Sequence, residues 1–141
     1  MSAHVQFHFV DLEPFPLHEN LWSVWLNQVA LAEEFLLSRL TIQFCSDDYL
    51  LEMNKTHLDH DYYTDIITFD SSKPPILKGE LYISWDRVKE NALGAGVKAE
   101  QELERVMVHG LLHLMGYGDK SEVAAAQMRE KEEWALCLRA D

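Results

Sequence analysis

Residues Val108 to Lys120 read VHGLLHLMGYGDK, and the rest of the chain can be organised around this stretch. It ends a predicted helix, Ala99 to Met115, rich in apolar residues: Val106, Met107, Leu111, Leu112, Leu114 and Met115. His109 and His113 stand four apart, so they lie about 40° from each other around the helix axis, stacked on one face. Gly116 falls where a helix end favours a residue at positive φ, and Gly118 gives the chain further freedom to turn. Such a turn can return Asp119 beneath the two imidazoles. The spacing is His-x3-His-x2-Gly-x2-Asp. Three nitrogen and oxygen ligands leave one tetrahedral position for water, the pattern of a catalytic rather than a structural zinc site. A histidine pair at i, i+4 alone is weak evidence, more often an ordinary core feature than a metal site. The helix-ending glycine and the following carboxylate favour a metal, and polar side chains in so apolar a helix need partners.

Working outward, Val5 to Val10 reads as a strand and Pro14 and Pro16 break the chain. Asn20 is a plausible cap for an amphipathic helix over Leu21 to Leu37. Leu40 to Cys45 alternates as a second strand. Ser46 fits as the cap of a helix to about Thr56, and His57 to Tyr63 reads as a loop. Asp65 to Phe69 and Gly79 to Ser84 are the third and fourth strands. Helices follow over Trp85–Leu93, Ala99–Met115 and, capped by Ser121, to Leu138. This order predicts one α+β domain over residues 1–141. It has a small four-stranded mixed sheet, about five helices, and the His109/His113 helix packed centrally with the metal site at its end.

Composition bounds the function. The 141 residues are 48% apolar and 26% charged, which excludes a disordered chain or a fibre. No apolar run approaches the ~18–20 residues of a membrane span. Residues 1–10 lack a secretion-signal pattern, and Cys45 and Cys137 form no CxxC pair. Reduced thiols in a cytoplasmic protein are therefore expected. The net charge of −12 argues against capture of nucleic acid by bulk charge. Residues 1–72 carry two basic residues against twelve acidic, whereas residues 73–141 carry ten against twelve. A local basic lip is possible only in the second half.

HGLLHLMGYGD resembles the HGxLHLxGYxH signature of the YbeY family of bacterial metal-dependent endoribonucleases. Asn54 with Thr64-Asp65-Ile66-Ile67-Thr68-Phe69 is similar to that family's N-x-x-x-R…TDVLSF segment, and Gly79 to Ser84 to its G-D/E-I-x-I-S strand. The resemblance spans about residues 45–135. It implies a zinc ion at a helix end and hydrolysis of single-stranded RNA. It further implies maturation of the small-subunit rRNA 3′ end, a role in ribosome quality control, and single-stranded rRNA and the ribosomal small subunit or its proteins as partners. The metal ligands would be His109, His113 and Asp119, with one divalent ion per chain and no membrane association.

Two departures stand out. The family's third ligand is usually histidine, and here it is Asp119, whose carboxylate is also a competent zinc ligand. It adds negative charge, so bound water should be less acidic, and Mn²⁺ competes better. The family's arginine falls at Leu58, leaving His57, His60 or Lys73 as possible replacement cations. Asp65 is read either as a catalytic group that orients an imidazole or positions substrate, or as a strand-end cap. Glu80 and Ser84 fit a cleft or an exposed strand face equally. His4, His8 and His18 lie far from any motif. Trp22 and Trp25 fit helix packing better than base stacking, and Glu102 and Glu104 face the wrong side to be ligands.

The same ligand spacing occurs in metzincin-like metallopeptidases. Those enzymes need a glutamate directly after the first histidine as general base, and here that residue is Gly110. A non-catalytic ribosome-assembly factor with a structural metal is the third reading, kept open by Leu58.

Overall fold

The computed structural model describes residues 4–58, 60 and 62–139. The elements in chain order are β1 (Val5–Phe9), α1 (Glu19–Ala32), β2 (Leu36–Cys45), α2 (Asp47–Leu58), β3 (Ile66–Asp70), β4 (Ile76–Ser84), α3 (Trp85–Ala95), α4 (Ala99–Leu114) and α5 (Glu122–Cys137). The four strands form one mixed sheet in the order β1-β2-β4-β3. β1, β2 and β4 run parallel, and β3 returns antiparallel along β4 as an edge strand. The predicted α+β architecture, four strands and five helices in one small domain, is the one observed.

Alternation along the strands places the main core. Leu40, Ile42 and Phe44 of β2 and Leu77, Leu81 and Ile83 of β4 share a face that is fully buried. A register shift between Leu37 and Arg39 inserts an extra residue, so Leu37 joins that face although it lies three residues from Leu40. α1 and α4 cover this side, with Trp22, Trp25, Leu26 and Val29 from α1 and Leu103, Met107 and Leu111 from α4. The indole N–H of Trp22 donates to Glu104 at 2.8 Å and that of Trp25 to the Ala135 carbonyl at 2.7 Å. Both tryptophans are therefore core residues, as their helical spacing indicated. A smaller apolar cluster of Cys45, Leu50 and Ile67 fills the space under α2.

Several boundaries differ from the sequence reading. α1 begins at Glu19, one residue before Asn20, with the His18 carbonyl accepting from Trp22 N–H. It ends at Ala32 because Glu34 takes φ 66°, and Leu36 and Leu37 enter β2. β4 starts at Ile76, directly after Pro75, rather than at Gly79. The loop expected over 57–63 is shortened by His57 and Leu58, which complete α2; Asp59 and Asp61 of it lie outside the described residues.

Candidate metal centre

α4 carries His109 and His113 and lies against β3 and β4. The approach is close because residue 110 has no side chain. A Cβ there would stand 2.8 Å from both Leu81 methyls and 2.9 Å from Ile66 Cδ1. The helix can thus hold its histidines beside the free edge of the sheet. Gly116, at φ 105°, turns the chain after α4, as its position indicated. Gly118 keeps φ outside the left-handed region, so Gly116 supplies the left-handed step of the turn.

The turn returns Asp119 to the histidine pair. Asp119 Oδ2 lies 3.4 Å from His109 Nε2 and 3.5 Å from His113 Nε2, and the two Nε2 atoms are 3.0 Å apart. The far nitrogen of each ring is engaged. His109 Nδ1 meets Glu132 Oε2 at 2.6 Å, and His113 Nδ1 meets the Tyr117 carbonyl at 2.9 Å. Both partners are acceptors, which assigns the proton to Nδ1 and leaves the Nε2 lone pairs facing one another and a carboxylate. Such a cluster of acceptors is repulsive unless a cation or a shared proton sits among them. Two donors at about 2.0–2.1 Å from a tetrahedral ion stand about 3.3 Å apart, close to the three separations found. These three residues form a group able to hold a metal ion.

Glu132, on α5, is the carboxylate that orients His109. It is 8% exposed and also accepts from Arg105 Nη1 at 3.0 Å, while Arg105 Nη2 reaches Glu133 at 2.6 Å. Burial pushes the Glu132 carboxyl up, but the bonds from His109 and Arg105 override it and hold it below the usual range. Burial likewise pulls the His109 imidazolium down; Glu132, then Asp119 and Asp65, bring it above the usual value. Burial raises the carboxyl of Asp65, opposed by His109 and by neighbouring backbone amides.

The turn has its own anchor. Tyr117 donates its hydroxyl to Glu33 in a short bond, and Lys131 Nζ reaches the same carboxylate at 2.9 Å. Burial raises the Tyr117 phenol, and Glu33 raises it further. The residue whose carbonyl holds His113 is thereby fixed from α1 and α5.

A cleft of about 510 Å³ opens over the three converging groups. Its wall is β3 from Ile66 to Thr68, and Asp65, His60, Tyr62, Leu58 and Lys120 also line it. Of the cations considered in place of an arginine at 58, His60 lies in the cleft, stacked on Tyr62. His57 instead packs edge-on against Phe69, and Lys73 sits in the turn to Ile76. Glu80 is exposed on the sheet. Ser84 is a buried helix cap, accepting from Arg87 N–H at 3.1 Å and donating to Asp47 at 3.0 Å. Neither lines the cleft. His4 bonds the Ser38 carbonyl and His18 pairs with Glu100, both remote from it. Cys45 and Cys137 are free thiols, the first buried. Glu102 is not turned away as the sequence reading had it: seven residues before His109, it shares that helix face and borders a small cavity with Asp65, Arg105, His109 and Glu132. Glu132, Arg105, Tyr117 and Lys120 are the other site-bordering residues that motif spacing does not single out.

A sheet-edge cleft thus opens over a His-His-Asp group able to hold a metal ion, at the end of a glycine-notched helix. The family model described as Endoribonuclease YbeY matches residues 15–137. Proteins named Endoribonuclease YbeY are similar along most of their length. The one from Cytophaga hutchinsonii is 51% identical over 116 residues, 82% of this chain and 81% of that one. The one from Porphyromonas gingivalis is 46% identical over 136 residues, 96% and 90%. The solution structure of TM1509 from Thermotoga maritima shares the fold at TM-score 0.66 and 24% identity, covering 95% of this chain and 87% of that one. The chain belongs to the YbeY family of endoribonucleases.

Proposed function

We propose that the chain is a single-strand-specific, zinc-dependent endoribonuclease of the cytoplasm. It would mature the 3′ end of small-subunit rRNA and act in ribosome quality control. The observation that carries this reading is the convergence of two imidazole Nε2 atoms and one carboxylate oxygen, with both Nδ1 atoms already bonded. His109, His113 and Asp119 would hold the ion. Two nitrogens and one oxygen suit zinc, and the carboxylate also admits Mn²⁺. When bound, a divalent ion there supplies Lewis-acid polarisation of a phosphodiester.

The chain's own residues do the rest. Glu132 fixes the tautomer and orientation of His109, and the Tyr117 carbonyl does the same for His113. Asp65 lines the same cleft and would position substrate. The cleft is of small-molecule size, which suits one or two nucleotides of an unpaired strand rather than a duplex. The net charge of −12 favours presentation of RNA by a ribosomal particle over capture from solution. Among the described residues no helix is long and apolar enough to cross a membrane.

The peptidase reading loses its support at Gly110. Leu81 and Ile66 occupy the space a side chain would need, so no general base can stand there without displacing the helix. The test is cleavage of a single-stranded RNA oligonucleotide by the pure protein, with and without chelator. Chelator-sensitive cleavage supports the reading. An inert metal-loaded protein would leave the assembly-factor alternative.

A further inference from the structure

The cleft is acidic where its substrate would be an anion. Asp65, Asp70 and Asp119 line it, and its one lysine or arginine among the described residues is Lys120. Four other basic residues, on α3, α4, α5 and just after α5, are committed to carboxylates. Arg87 pairs with Asp47, Arg105 with Glu132 and Glu133, Lys131 with Glu33, and Arg139 with Glu104. Lys120 is exposed, directly follows Asp119 in the chain, and has no ion pair among the described residues. It lies three residues after Tyr117, whose side chain anchors the turn that returns Asp119 to the histidines. A flexible ammonium tethered there can reach a phosphate resting over the three converging groups.

We propose that Lys120 is a catalytic residue, its ammonium binding a non-bridging oxygen of the phosphodiester. The proposal rests on the endoribonuclease reading above. A fixed positive charge beside carboxylates does two things for an anionic substrate. It offsets repulsion from Asp65 and Asp119 on approach, and it gains strength as negative charge accumulates on the phosphoryl oxygens in the transition state.

Four forms of the zinc-loaded protein test this: wild type, Lys120→Ala, Lys120→Arg, and Lys120→Ala combined with Leu58→Arg. Leu58 lines the same cleft, so the last variant returns a cation from a different element. The measurements are kcat on a single-stranded RNA oligonucleotide, zinc content, and the salt dependence of binding to a 2′-O-methyl oligonucleotide that cannot be cleaved through its 2′ oxygen. Lys120→Ala should lower kcat about 100-fold with zinc content unchanged. Lys120→Arg should stay within about tenfold of wild type, and the Leu58→Arg combination should recover about tenfold over Lys120→Ala. The plot of log affinity against log salt should flatten by about 0.7 in Lys120→Ala. Cleavage by Lys120→Ala within about twofold of wild type, or an unchanged salt slope, overturns the proposal. So does a loss of zinc that neither arginine variant restores, because Lys120 would then act only through Asp119. A wild-type protein inert on RNA refutes the nuclease reading instead, and the salt slope still decides whether Lys120 meets phosphate.

Discussion

Gly110→Ala sets two physical effects against each other, and the structure decides which wins. In an exposed helix interior, replacing glycine by alanine stabilises by about 1 kcal/mol. At residue 110 the new methyl would sit 2.8 Å from both Leu81 methyls and 2.9 Å from Ile66 Cδ1. Ordinary carbon contacts are about 3.5–4.0 Å, so helix and sheet must separate by most of an ångström. Leu81 is fully buried and cannot swing into solvent. Overpacking of this kind costs about 1–3 kcal/mol, and a neighbour closed in on all sides puts the site toward the upper end. The net expectation is a loss of about 1–2 kcal/mol, a fall in Tm of roughly 3–8 °C for a domain of this size. His109 flanks the substitution, so the displacement also shifts its Nε2 relative to Asp119, and zinc affinity falls with stability. Thermal unfolding of the metal-free protein, followed by zinc titration, checks both. A Tm equal to or above wild type would show that the helix does not rest on Leu81, and the packing argument would be wrong.

Glu132→Gln keeps a hydrogen-bond acceptor for His109 Nδ1 but removes the charge, and zinc affinity should weaken about 10–100-fold; a competition titration with an unchanged constant would remove Glu132 from the account. Burial raises the Glu33 carboxyl, but Tyr117 and Lys131 together hold it below its ordinary value of 4.5. Its stabilisation is therefore present above about pH 4.5 and is lost as pH falls through the lowered value. The Tm gap between wild type and Glu33→Gln should shrink on acidification, and a gap constant from neutral pH down to about pH 3 would contradict this. Leu81→Ala, beneath α4, should cost about 2–5 kcal/mol in chemical denaturation; a loss under about 1 kcal/mol would mean that α4 collapses onto the sheet.

The candidate metal-holding group was legible because its members are local. The i, i+4 histidine pair, the helix-ending Gly116 and the carboxylate after the turn all lie within eleven positions, and helical geometry alone brings them together. Glu132 was hidden because it reaches His109 across the α4–α5 packing, and no sequence period links positions 109 and 132. Tyr117 contributes a backbone carbonyl, which leaves no mark on residue type. The α1–β2 boundary misled for another reason. Phe35, Leu36 and Leu37 continue an apolar pattern that suits either element, and the break falls at Glu34, a residue without a turn signature. Gly110 was visible as the wrong residue for a peptidase, but its cause, the Leu81 and Ile66 side chains beneath it, appears only in the packed structure.

If His109, His113 and Asp119 hold the ion that makes this chain a nuclease, ion content and cleavage must rise and fall together. The most direct measurement pairs zinc occupancy with RNA cleavage in wild type and His113→Ala, both checked for folding. One ion per wild-type chain is expected, with cleavage that rises with occupancy. His113→Ala should be a folded protein with neither zinc nor activity, because His113 sits at the cleft and not in the core. Cleavage of single-stranded RNA by zinc-free His113→Ala at the wild-type rate, in preparations free of contaminating ribonuclease, would contradict that coupling.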